Sequence, residues 1–329
     1  MAVNLTPQYH EAEAAYKKAT TAEERLECLR RMWVELPKHK ASEKLQAELK
    51  TKISETKKEV EAERRSPKKG GPSFKIPRQG AGQVLLIGGP NAGKSRILSR
   101  LTRATPEVAP YPFTTREPSA GMMDWEDVRV QLIDTPPITA DYLEGYLANM
   151  IRVADLCVLC VDLGDDEGIF AAEAVLNRLG HKTVLIGQVP EDPEDPTIEY
   201  IKTIVAANKM ASEGAQERLA ILREMLGERF PYVLLDAESG QGIEELRQAI
   251  YKALDVIRIY SKRPGKPADL DAPFTVPRGS TVAQFASEVH RDFAEKLKSA
   301  RIWGTGVFDG QSVTRDHILH DKDIVELHV

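Results

Sequence analysis

Apolar residues recur at helical spacing over residues 6–65 and then change to short continuous runs beyond residue 83. In the first region Thr6-Pro7 sets a capping hydroxyl ahead of a proline at the first helical position. Thr21-x-x-Glu24 reads as a capping box. It precedes Leu26, Leu29, Trp33 and Leu36, which share one helical face, and Pro37 closes that helix. A third, heavily charged helix follows with a thin apolar stripe at Leu45, Leu49, Ile53 and Val60. The pattern predicts a helical region over 1–65. Residues 66–82, "SPKKGGPSFKIPRQGAG", have no periodicity and read as a basic Pro/Gly linker.

From 83 to 260 the apolar runs "VLLIGG", "VRVQLID", "ADLCVLCVDL", "KTVLIGQV", "TIVAANK" and "YVLLDA" alternate with helical stretches. That alternation predicts an α/β domain, a doubly wound and mainly parallel sheet wrapped by helices. "MMDWEDVRVQLID" has a Glu-Asp turn between two strand-like halves and predicts an antiparallel hairpin at one edge, while "PEDPEDPTIEY" reads as an acidic surface loop. A second linker over 261–273 precedes a final segment, 274–329, of β-helix-β type.

Charge adds an asymmetry to this plan. The chain carries a net −5, but residues 1–79 carry +6 and the rest −11. A basic arm on an acidic body suits an anionic partner such as RNA, and a solvated helical face is the alternative. Cys157 and Cys160 form a C-x-x-C, yet they sit in a continuously apolar run and read as core rather than as a redox or metal pair. No run approaches the ~20 apolar residues of a membrane span. The N-terminus lacks the layout of a signal peptide, so a cytoplasmic location is expected.

The chemistry concentrates in Gly88-Gly89-Pro90-Asn91-Ala92-Gly93-Lys94-Ser95, which fits G-x-x-x-x-G-K-[ST] between a strand and a helix. There the backbone N–H groups of residues 91–95, including Asn91, Ala92 and Gly93, can wrap a β-phosphate at the positive end of the helix. Lys94 can reach the β- and γ-phosphates and Ser95 can ligate Mg²⁺. Asp134 ends the strand "VQLI" and is the candidate Mg²⁺ carboxylate.

"YPFTT" (111–115) with Pro118 and Gly121 resembles the first switch of the Obg/DRG-type GTPases. "NKM" (208–210) resembles their guanine-recognition motif, "DAESGQGIEEL" (236–246) their base-contacting segment, and "FTVPRGSTVAQFASEVH", "IWGTG" and "HDKDIVELHV" their appended TGS domain. The resemblance covers roughly 81–329 and implies a P-loop NTPase domain of the Ras-like kind, followed by a ubiquitin-like β-grasp domain. It also implies GTP or GDP as ligand, Mg²⁺ as cofactor and the ribosome or RNA as partner. Thr115 would be the switch threonine that ligates Mg²⁺ and senses the γ-phosphate, with Lys94 the other residue acting on the reacting phosphates. Asn208 would tie base recognition to the phosphate loop, Lys209 would lay its stem over the base, Asp236 would lie in the base-contacting loop, and Ala237 would offer its N–H to the guanine carbonyl. Asn91 matches an asparagine with which some related GTPases hold K⁺, with loop stabilisation the alternative.

Three positions depart from the pattern. Pro137 replaces the glycine of D-x-x-G, removing an N–H and fixing φ, which predicts a stiffer second switch and a changed γ-phosphate contact. Ala211 stands where N/T-K-x-D supplies a carboxylate for the guanine edge, and Ile138 where a water-orienting glutamine would stand. The readings are therefore a slow GTPase, a nucleotide-binding scaffold without switching, or an ATP-preferring enzyme of the same fold. The sequence leaves the oligomeric state undetermined.

Overall fold

The computed structural model describes residues 6–19, 22–37, 42–65, 76–102 and 118–329. Three helices form the N-terminal region: α1 (Pro7–Lys18), α2 (Ala22–Glu35) and α3 (Glu43–Arg65). The Thr6 hydroxyl accepts the Tyr9 N–H at 3.1 Å, satisfying one of the free donors at the start of α1. Leu26, Leu29 and Trp33 of α2 and Leu49, Ile53 and Val60 of α3 are buried together, as the helical spacing predicts. Thr21 and residues 66–75 of the linker lie outside the described residues.

This region forms one compact unit together with Leu179–Val184 and Val189–Tyr200. The acidic loop thereby meets the basic helices: Arg30 pairs with Glu199, Lys50 with Asp192 at 2.7 Å, and the Lys57 ammonium donates to the Ile198 carbonyl at 3.3 Å. Part of the positive charge read as available to an anionic partner is engaged by the chain itself.

The described residues from 83 onward contain two sheets. The strands of the first are β1 (Gln83–Gly88), β2 (Ser119–Trp125), β3 (Val128–Asp134), β4 (Leu156–Asp162), β5 (Thr183–Ile186), β6 (Glu199–Asn208) and β7 (Tyr232–Leu234). Their order is β2-β3-β1-β4-β6-β5, with β7 also on β6. β3, β1, β4, β6 and β7 pair in parallel, and β2 pairs antiparallel with β3 through the expected Glu126-Asp127 turn. α4 (Lys94–Leu101), α5 (Gly145–Val153), α6 (Asp166–Leu179), α7 (Ala215–Leu226) and α8 (Ile243–Leu254) complete the α/β domain. β1 and β4 are buried at every position, which explains their unbroken apolar runs. Cys157 and Cys160 are free and buried in β4, where burial pushes the Cys160 thiol up to about 12.

The second sheet contains β8 (Val256–Ser261), β9 (Phe274–Pro277), β10 (Ser299–Trp303), β11 (Gln311–Val313) and β12 (Asp323–His328), in the order β11-β10-β12-β8-β9. α9 (Val282–Val289) and α10 (Arg291–Lys296) lie between β9 and β10 in the chain, and Val282, Phe285 and Ala286 of α9 share the core beneath the sheet. β8 pairs in parallel with β12 and antiparallel with β9, an arrangement of β-grasp type. The sequence reading assigns 256–260 to the preceding domain. The strand instead belongs to this sheet, because its partners are a strand at the far C-terminus and one beyond the 261–273 linker, neither legible in a local pattern.

Candidate functional site

β1, β3, β4 and β6 all end on one edge of the parallel sheet, where doubly wound folds bind ligands. Gly88 ends β1 and the phosphate loop turns into α4 through Gly93, whose φ of +85° is a left-handed value. A Cβ on Gly93 would stand 2.2 Å from the Asn208 side-chain nitrogen, so only glycine fits there.

Lys94 is buried, and its ammonium donates to the carbonyls of Gly88 at 3.2 Å and Gly89 at 2.9 Å. Burial lowers the Lys94 pKa. The Ser95 hydroxyl donates to Asp134 Oδ2. The other oxygen, Oδ1, is buried without a hydrogen-bond partner, and burial raises the carboxyl's pKa. A buried oxygen left unpaired beside a serine hydroxyl suits a hard divalent cation that takes oxygen ligands. The chemistry of Ser95 and Asp134 therefore suits Mg²⁺, while Thr115, the third expected ligand, lies outside the described residues, as does the rest of "YPFTT".

The "DTPP" segment is stitched to β1. The Thr135 hydroxyl donates to the Leu86 carbonyl at 2.8 Å, and the Ile138 N–H donates to the Gly88 carbonyl at 3.1 Å. Ile138 is fully buried. An apolar side chain facing the core cannot orient a water molecule, so the absence of a glutamine there is not offset by the residue present.

Asn208 ends β6 opposite Asp162 of β4 and is 2 % exposed. Its side-chain nitrogen donates to the Ala92 carbonyl of the phosphate loop at 3.1 Å, and its Oδ1 accepts the Ala237 N–H at 2.9 Å. The expected tie between the two recognition loops is thus present. The same bond engages the Ala237 N–H that the sequence reading offers to the base carbonyl. The loop bearing Asp236 and Ala237 is also held to α4: Arg100 donates to the carbonyls of Ala237, at 3.0 Å, and Glu238, while Arg96 pairs with the Glu238 carboxylate at 2.8 Å. Asn91 is exposed in a left-handed conformation, φ +58°.

Asp162, which the sequence reading did not name, also stands at this edge of the sheet. Buried at the end of β4, it accepts the Gly164 N–H at 2.7 Å and pairs with the Lys209 ammonium. Lys209 itself has φ +66°, a left-handed conformation uncommon outside glycine. A strand-end carboxylate in "CVDLGDD" was the available signal. Releasing Lys209 should let its stem wander from the base position. Asp162→Ala is expected to weaken nucleotide binding about 5- to 10-fold, the effect of losing one charge-assisted bond to a part-exposed lysine. Fluorescence titration with a labelled guanine nucleotide would register it, and an unchanged Kd would remove Asp162 from the site.

The sequence profile described as "50S ribosome-binding GTPase" matches residues 83–190, and that of the TGS domain matches 257–329. An uncharacterized GTP-binding protein of Methanocaldococcus jannaschii is 27 % identical over 88 % of this chain and 88 % of its own length. Developmentally-regulated G-protein 2 of Arabidopsis thaliana is 25 % identical over 88 % of this chain and 87 % of its own. GTPase Obg of Aquifex aeolicus is 33 % identical over 53 % of this chain and 50 % of its own. Among solved structures, the Schizosaccharomyces pombe YchF GTPase matches 80 % of this chain with a TM-score of 0.50 at 12 % identity, a likeness of fold.

Proposed function

We propose that the chain, which matches a GTPase domain and a TGS domain and is similar to DRG and Obg proteins, is a Mg²⁺-dependent GTPase of slow intrinsic turnover, acting in the cytoplasm with the ribosome or RNA. The observation that carries this reading is the convergence of Lys94, Ser95, Asp134 and Asn208 on one sheet edge, with Asp134 Oδ1 left unpaired. Lys94 exchanges its two loop carbonyls for phosphate oxygens when nucleotide enters, which keeps a buried ammonium paired in both states. Ser95 and Asp134 would hold Mg²⁺, joined by Thr115. The bound ion supplies charge neutralisation on the β- and γ-phosphates. The Asn91 side chain is free to meet K⁺ from its exposed turn. Slow turnover follows from Ile138, which leaves the attacking water unoriented until a partner acts.

A second reading, a nucleotide-binding scaffold that does not switch, is favoured by the two bonds that pin 135–138 to β1 and by Pro137. Phosphate release separates the two. With GTP and Mg²⁺ the slow-GTPase reading expects low basal release, accelerated by added ribosomes, together with nucleotide-dependent cosedimentation. Release at the rate of the Lys94→Ala variant, with or without ribosomes, would leave the scaffold.

A further inference from the structure

The guanine edge presents two donors side by side, the ring N1–H and the 2-amino group, and an anionic acceptor is their natural partner. The methyl side chain of Ala211 cannot accept either. Four carboxylates lie near this turn in sequence or space, and they differ in how close they stand to position 211. Asp162 holds the Gly164 N–H and the Lys209 ammonium on its two oxygens. Glu213 is exposed beyond the turn, and Glu238 is exposed and paired with Arg96.

Asp236 is different. The Met210 N–H donates to the Leu235 carbonyl at 3.2 Å, which sets the turn after Asn208 alongside residues 235–237, just beyond β7. In keeping with that placement, the main-chain N–H of Ala211 is among the groups that hydrogen-bond the Asp236 carboxylate. Oδ1 accepts the Ser239 N–H at 2.9 Å, the Ser239 side chain and the Glu238 main chain also hold the carboxylate, and the residue is 7 % exposed. Asp236 also immediately precedes Ala237, whose N–H holds Asn208. A carboxylate therefore stands next to the position that lacks one.

We infer that Asp236 is the specificity-determining residue that reads the guanine edge, supplying from the 236–246 loop the carboxylate that Ala211 does not. This rests on the reading of the site as one for a guanine nucleotide. The acceptor has moved from one base-contacting loop to its neighbour, and the loop is held in place for the task by Arg96 and Arg100.

The test is competition against a fluorescently labelled GDP on the full-length chain, using GDP, XDP, IDP and ADP. Xanthine carries a carbonyl where guanine has its amino group, so a carboxylate rejects it and an amide accepts it. For the wild type, GDP should outcompete XDP strongly and IDP, which lacks the amino group, about 10-fold. Asp236→Asn should weaken GDP about 100-fold and reverse the order of GDP and XDP, in a variant whose thermal melt remains cooperative. An unchanged GDP-to-XDP ratio in a variant that still binds would overturn the assignment. Equal displacement by ADP and GDP on the wild type would overturn both this inference and the guanine reading beneath it, and is visible before any variant is made. Should Asp236→Asn bind no nucleotide, the exchange Ala211→Asp with Asp236→Ser decides. Guanine preference that is lost in Asp236→Ser alone and regained in the exchange supports the assignment, and wild-type preference kept by Asp236→Ser alone overturns it.

Discussion

Asn208→Ala is expected to weaken guanine-nucleotide binding by about 100-fold or more and to lower the melting temperature by several degrees. The side chain is 2 % exposed and closes two gaps at once, donating to Ala92 and accepting from Ala237. Truncation leaves a carbonyl of the phosphate loop and an N–H of the base loop without partners in a buried place. Each such orphan costs about 1–3 kcal/mol, so the pair costs about 2–5 kcal/mol. Part of that falls on folding, and about 2–4 °C of melting temperature goes with each kcal/mol in a chain of this size class. The rest falls on binding, because the two loops that meet the phosphates and the base are no longer registered against one another, and small misplacements are costly. Asn208→Asp sharpens the test: it keeps an acceptor for Ala237 but sets a carboxylate oxygen against the Ala92 carbonyl, so its binding should be as poor as that of the alanine variant. Calorimetric titration and thermal melts of both variants measure the two shares. A Kd within about 3-fold of wild type in either would mean that Asn208 braces the fold without registering the site, since 3-fold is well under the cost of one lost bond.

What could be read from the sequence tracks how local the determinant is. The phosphate loop was legible because its requirements are contiguous: a buried strand, a glycine that must turn left-handed at 93, then Lys94 and Ser95 opening α4. The hairpin at Glu126-Asp127 and the helical spacing in α2 and α3 are local for the same reason. Asp162 was missed because its meaning lies in a lysine 47 residues away. The bond from the Ala237 N–H to Asn208 could not be read from the sequence, because an N–H has no sequence signature. β8 followed the same rule. "VIRIYS" continues from α8 without a break, and its strand partners are supplied by segments that come later in the chain. Within it, Ile257 and Ile259 alternate with Arg258, which on pattern alone belongs to a solvated face, yet Arg258 is 4 % exposed.

Arg258→Ala is accordingly expected to have the largest effect outside the nucleotide site, lowering stability at neutral pH by about 2–3 kcal/mol. Its guanidinium forks onto both oxygens of Asp321, at 3.1 and 2.6 Å, and reaches Asp127 at 3.0 Å and Glu126 in the hairpin of the nucleotide domain. It also lies over the Tyr251 ring, 5.9 Å from the centroid, and Tyr251 stacks on Trp125. Removing one partner of a buried ion pair typically costs about 3–5 kcal/mol, and the partial exposure of all three carboxylates reduces that figure. The pH dependence follows from the signs. Arg258 holds the Glu126 carboxyl below the usual carboxylate range; burial acts to raise Asp127 and Asp321, but their bonds to Tyr260 and Arg258 outweigh it and hold them low as well. Groups with depressed folded pKa values contribute stability that is complete above the unfolded value, about 4, and is lost as pH falls below it. On the alkaline side the Tyr260 phenol, which donates to Asp127, is pushed up to about 12. Its contribution is complete below about 10 and disappears as pH rises through 12. The stability gap between wild type and Arg258→Ala should therefore be flat from about pH 5 to 9 and shrink below pH 4. Arg258→Lys should recover only part of it, since an ammonium cannot fork onto Asp321. Because the cluster joins β8 of the TGS sheet to the β2–β3 hairpin, which leads through β3 to Asp134, the unfolding of the two sheets in urea should lie further apart in the alanine variant than in the wild type. A gap that persists unchanged at pH 3 would show that the arginine acts through its packing on Tyr251 rather than through its charge.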